Sequence, residues 1–140
     1  MAIILSASST FAQDIKQSQV PSLVVNNFQQ KFPKARDIEW KMDGDLYKVD
    51  FETGLLGKDQ KSWYDQTGNL VRHKEEISKS DLPKNILAKI NAEFSGYRID
   101  DVKKITEGGK ETYTLELKKF TKEWKVAFDP EGNILSKIAD

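Results

Sequence analysis

The sequence predicts an α+β chain made of two tandem repeats, each a helix followed by four antiparallel strands. Three observations predict it. The first is a stretch that occurs twice. Tyr64-Asp65-Gln66-Thr67-Gly68-Asn69-Leu70 recurs as Phe128-Asp129-Pro130-Glu131-Gly132-Asn133-Ile134, an offset of 64 residues from Asp65 to Asp129. Each copy reads as a tight reversal between strands: the Asp accepts backbone N–H bonds, and the Gly tolerates a positive φ. The second observation is that apolar residues at helical intervals open each copy, and the third is that alternating residues lead from there to the turn. A unit repeated at fixed spacing implies duplication. The expected result is one eight-stranded antiparallel sheet with both helices on one face. Separate packing of the two halves would give a small two-domain layout instead.

Residues 1–12 carry no charge, are apolar and small, and give way abruptly to Gln13-Asp14. They read as the remnant of a secretory signal peptide cleaved after Ala12, or as an N-terminal arm. Residues 13–19 are polar and read as a flexible lead-in. The first repeat, 20–76, begins with Val20-Pro21, and Pro suits a first helical turn. Val24, Val25, Phe28 and Phe32 fall on one helical face, and Phe32-Pro33 stops the helix. Ile38, Trp40 and Met42 then alternate with charged residues. Asp43-Gly44 turns the chain into a return strand through Tyr47, Val49 and Phe51. A third strand over about 60–65 enters the first repeated turn, and a fourth runs from Leu70 toward Glu75.

A linker at 77–81 leads to the second repeat, 82–140. Leu82-Pro83 matches Val20-Pro21, and Ile86, Leu87, Ile90 and Phe94 repeat the helical spacing. Tyr113, Leu115 and Leu117 stand for Tyr47, Val49 and Phe51. Trp124, Val126 and Phe128 enter the second turn. Strand alternation puts these apolar residues under the helices and sends Lys48, Lys61, Trp63, Glu116 and Lys125 to the opposite, open face.

Composition narrows the chemistry. Lys+Arg and Asp+Glu are both 22 in 140 residues, so formal net charge is zero. That gives no electrostatic drive toward nucleic acid or an anionic membrane. With no cysteine there are no disulfides, thiolate nucleophiles or thiolate metal sites. A single histidine, His73, leaves no multi-histidine centre, and its place near a strand end between Arg72 and Lys74 reads as surface. Asp43 with Asp45 and Asp100 with Asp101 sit at turns or strand starts, where Asp serves local hydrogen bonds. The Asp-x-x-Gly-Asn turns lack the spaced carboxylates of calcium loops. No cofactor is expected, and no apolar run after the start reaches the roughly 20 residues of a membrane span.

The two helix–strand units, the signal-like start and the paired endings Trp63-Tyr64-Asp65-Gln66-Thr67-Gly68-Asn69-Leu70 and Ala127-Phe128-Asp129-Pro130-Glu131-Gly132-Asn133-Ile134 carry a resemblance. The chain resembles the PepSY-like family of exported bacterial proteins, whose fold is similar to that of β-lactamase inhibitor protein, over about residues 20–140. The resemblance implies a noncatalytic module outside the cytoplasm, periplasmic or secreted, that binds a protein or peptide, with peptidase inhibition suggested by analogy. It offers no catalytic residues. From the residues, the expected partner site is the open sheet face, with Trp63 as an exposed aromatic anchor and Lys48, Lys61 and Lys125 around it. Trp63 tucked under the 53–59 loop is the plainer reading. A hydrolase-like enzyme and an envelope element binding a small ligand or glycan are the readings from other classes.

Overall fold

The computed structural model describes residues 13–140, and the signal-peptide segment 1–12 lies outside the described residues. The chain builds one sheet whose strands stand side by side in the order in which they occur. These are β1 (Gln13–Ile15), β2 (Arg36–Asp43), β3 (Leu46–Thr53), β4 (Lys58–Tyr64), β5 (Leu70–Glu76), β6 (Arg98–Glu107), β7 (Lys110–Lys119), β8 (Lys122–Phe128) and β9 (Ile134–Ala139). Every neighbouring pair is antiparallel. Helix α1 (Ser22–Lys31) lies between β1 and β2, and helix α2 (Lys84–Glu93) between β5 and β6.

The sheet therefore has nine strands among the described residues, where the sequence predicts eight. The ninth is β1, which arises from the segment read as a flexible lead-in. Gln13, Asp14 and Ile15 pair with Met42, Lys41 and Trp40. Nothing in those three residues announces a strand. Their backbone groups find partners because β2 would otherwise be an unpaired edge.

Each helix starts after a proline and ends on an aromatic residue. Pro21 and Pro83 precede the first turns, and Phe32 and Phe94 donate their N–H groups to Phe28 and Ile90 at 2.9 and 2.7 Å. The buried stripe of α1 is Val24 and Phe28, and that of α2 is Ile86 and Ile90. The first stripe packs on Trp40, Val49, Phe51 and Tyr64. The second packs on Val102, Tyr113, Leu115, Leu117, Val126 and Phe128.

Both stripes lie on the same side of the sheet. Register carries that side across the middle, from Val49 to Ser62, His73, Thr106 and Glu111, and from Gln60 to Glu75, Lys104 and Tyr113. The two apolar clusters are thus separated by a polar seam on β5 and β6. The other side of the sheet carries no helix among the described residues. Two equivalent irregularities bend the strands: Asp37 and Asp101 take φ of 52° and 51°, and register shifts beside each. Ile38, just after the first of these, is exposed, whereas Val102, just after the second, is buried in the core.

Candidate partner-binding face

Cross-strand register sorts the helix-free face into rows. One row runs Lys41, Lys48, Trp63, Arg72, Glu107 over β2 to β6. The next runs Glu39, Asp50, Lys61, Lys74, Ile105, Thr112 over β2 to β7. A third crosses β6 to β9 as Lys103, Thr114, Ala127, Ser136. Beside it lie Glu116, Lys125 and Ile138.

Trp63 points to this face, but it is not the exposed anchor that the sequence suggests. It is only 6% exposed. Its ring lies beneath its row neighbours, with the Arg72 guanidinium carbon 4.7 Å and the Lys48 Nζ 5.5 Å from the ring centroid. Its Nε1–H donates to Asp43 Oδ2 at 2.8 Å. Long cationic side chains spread their stems over an aromatic and keep their charged heads in water. Trp63 therefore organises the cations rather than protruding between them.

Lys48 and Lys61 do lie around Trp63. Lys125 stands four strands away on β8, a separation of about 19 Å at the usual strand spacing. It joins the others along a groove instead. One stretch, about 160 Å³, is lined by Asp59, Lys61, Lys74, Glu76, Asp101 and Lys103. An adjoining stretch of about 280 Å³ shares Lys74, Asp101 and Lys103 and continues past Thr114, Ala127 and Ser136 to Lys125 and Ile138. Lys61 on β4 marks one end, and Lys125 on β8 with Ile138 on β9 marks the other. Arg72, Lys74 and Lys103 are the cations that sequence reasoning missed. Arg72 and Lys74 face Trp63 and Lys61 only because a register shift at Trp63/Tyr64 inserts Val71 into β5, and no turn residue signals it; Lys103 meets Glu76 through the β5–β6 register.

The electrostatics of the face are uneven. Asp50 holds Lys41 at 3.1 Å and Lys48 at 3.7 Å, and its hydrogen bond raises the Lys41 ammonium above the usual lysine range. Lys61 and Lys74 oppose each other across strands, and neither forms an ion pair among the described residues. Burial, and then the charges of Lys103, Lys61 and Arg72, push the Lys74 ammonium below the usual range.

The opposite side holds the residues that an enzyme reading would use. His73 is not a surface residue: its ring stacks on Phe32 at 5.2 Å under the end of α1. Its Nδ1 shares a 2.8 Å hydrogen bond with Ser62 Oγ, and its Nε2 is 3.9 Å from Glu75, whose carboxyl it lowers. The set has the residue types of a nucleophile relay, but Ser62 is fully buried, so no substrate carbonyl can reach its oxygen. The carboxylates of the repeated turns are consumed by the turns. Asp65 Oδ1 accepts the N–H groups of Thr67 and Asn69, both at 3.0 Å, and Asp129 Oδ1 accepts those of Glu131 and Asn133 at 3.0 and 2.9 Å. Among the described residues no group of three or more His, Asp or Glu side chains is placed to hold a metal ion.

Three large apolar side chains stand free at hairpin tips: Leu55 and Leu56 between β3 and β4, and Phe120, 98% exposed, between β7 and β8. Phe120 does so at a φ of 56°, a left-handed conformation that costs a bulky residue about 1–2 kcal/mol.

Comparison with known proteins agrees with this architecture. No curated protein matches the chain. A "putative periplasmic" protein of Bacteroides eggerthii superposes with a TM-score of 0.72 at 20% identity, over 86% of this chain and 88% of its own. A DUF2874 family protein of Bacteroides uniformis gives 0.72 at 21%, over 86% and 89%. A BLIP-like protein of Bacteroides fragilis gives 0.69 at 18%, over 86% of both chains. At these identities the likeness is one of fold. The family described as "Putative beta-lactamase-inhibitor-like, PepSY-like" matches residues 9–72 and 45–136, which together span most of the sequence. The chain belongs to that PepSY-like family.

Proposed function

We propose that the protein is an exported, noncatalytic binding module that recognises a protein or peptide with the open face of its sheet. The observation that carries this reading is the groove from Lys61 to Lys125. It is lined by lysines and carboxylates in alternation and floored by the small side chains of Thr114, Ala127 and Ser136, so an extended chain can lie close to the sheet. Lys48 and Trp63 support the groove's upper edge: the indole fixes where Lys48 and Arg72 hold their charges. An inhibitor-like role fits the BLIP-like relative, and the name of that relative is the support for it. Export is supported by the uncharged, small-residue start and by relatives described as periplasmic.

The competing readings have less behind them. A hydrolase needs a nucleophile or carboxylate pair open to substrate, and the Ser62 hydroxyl bonded to His73 is fully buried. Glycan binding draws on several coplanar exposed aromatics, whereas the rows of the open face hold Trp63 alone, and it is covered.

The test is steric. Ala127→Arg fills the groove floor without touching either helix, and it should abolish capture of a partner from the envelope fraction while leaving the circular dichroism unchanged. Lys84→Glu, on α2 and away from this face, should capture normally. If Ala127→Arg retains the same proteins as the wild type, the open face is not the binding surface.

A further inference from the structure

The Lys61–Lys74 pair is the least explained feature of the molecule. Like charges set directly opposite each other on adjacent strands destabilise a sheet. Elsewhere on this face the conflict is resolved, since Lys41 and Lys48 also oppose each other but share Asp50. Among the described residues Lys61 and Lys74 share no carboxylate in this way: the charges of Lys103 and Arg72 add to the repulsion on Lys74, and Asp101 offsets it only in part.

We infer that a carboxylate side chain of an extended acidic segment of the partner protein seats between Lys61 and Lys74. This rests on the open-face reading above and names the chemistry of the partner. A carboxylate placed there turns a repulsion into two attractions. From β4 to β9 the groove crosses five strand steps, about 24 Å, which is the reach of roughly seven extended residues.

The groove's own acids limit how acidic the segment is. Asp101 is held by Lys103 at 3.4 Å, Glu116 by Lys118 at 3.3 Å, and Glu76 accepts the Asp59 N–H at 3.3 Å. These carboxylates line the same groove and repel a continuous polyanion. The geometry fits one or two spaced carboxylates, not a nucleic acid or a polyphosphate.

The experiment uses the full chain and two fluorescein-labelled eight-residue Ser/Gly peptides, one bearing two glutamates and the other two glutamines at the same places. Fluorescence anisotropy in low salt should show binding of the glutamate peptide only. Lys61→Gln with Lys74→Gln should weaken it at least tenfold, Lys110→Gln should not change it, and the peptide should raise the pH at which Lys74 titrates by NMR. Equal binding of both peptides, no binding of the glutamate peptide at millimolar concentration, or an unchanged double variant overturns the inference. So does inorganic phosphate competing as well as the peptide, which would mark a general anion site. A captured partner that is lost with Ala127→Arg but kept with the double lysine variant would leave the face as the binding surface and remove this inference alone.

Discussion

Tyr64 sits 1% exposed at the centre of the first cluster, and its hydroxyl has no hydrogen-bond partner among the described residues. Burial pushes its phenol up to about 12. A buried hydroxyl without a partner costs stability, so Tyr64→Phe should raise the unfolding free energy by about 1 kcal/mol in a urea titration. A loss of stability would mean the hydroxyl is bonded in solution. Asp65 and Asp129 present the opposite case. Hydrogen bonds from the Thr67 hydroxyl and Asn69 hold the Asp65 carboxyl below the usual range, and those from Asn133 lead in doing the same for Asp129. A carboxyl depressed in the folded state gives stability that is complete above its unfolded value, about 4, and is lost as pH falls through the folded value. Melting temperature should therefore fall below about pH 4, and Asp65→Asn with Asp129→Asn should flatten that part of the curve. An unchanged pH profile in the double variant would assign the acid sensitivity elsewhere.

The repeated turns also lock the hairpins to the helices. A Cβ on Gly132 would come within 2.7 Å of the Asn85 carbonyl oxygen in α2, while on Gly68 it would meet the Asn27 side-chain nitrogen at 2.8 Å and Leu23 Cγ at 2.9 Å. Side chains can move aside more cheaply than helix backbone. Gly132→Ala should cost more than about 2 kcal/mol and Gly68→Ala less than that, although both also force a left-handed φ on alanine. Thermal melts of the two variants decide it, and a reversed order would mean that the helix gives way first. These turns were legible in the sequence because their chemistry is local: Asp, Gly and Asn do the same work wherever they stand. The helices were legible too, since Val24 and Phe28, like Ile86 and Ile90, keep the spacing of one face. What could not be read depends on neighbours supplied by the fold. Gln13–Ile15 is a strand because β2 offers an edge, not because of its own residues. Trp63 reads as an exposed anchor or as tucked under the 53–59 loop until Lys48 and Arg72 are seen lying across it, and His73 reads as surface until the end of α1 brings Phe32 onto its ring. Lys74 joins Lys61 only through the insertion of Val71, which no composition signal marks.

On the scale of the whole molecule, the two apolar clusters do not merge. The seam between them holds His73, Glu75, Lys104, Thr106 and Glu111, with ion pairs such as Lys104–Glu111 at 3.4 Å rather than apolar packing. The halves are coupled chiefly by the backbone ladder between β5 and β6. Phe28→Ala, which should cost the first half about 3–5 kcal/mol, is expected to split urea unfolding into two transitions by far-UV circular dichroism, the later one near the wild-type midpoint. A single shifted transition would show that the seam transmits cooperativity after all. Strand order has a temporal consequence as well. Each strand pairs with the one made just before it, so contact order stays low for so broad a sheet, and no part of the chain waits for a distant segment. Emerging N-terminus first, whether from a ribosome or a channel, the chain completes its first cluster once β5 is out. The outer rim of β5 then becomes the template on which the later half registers, and β9 docks last.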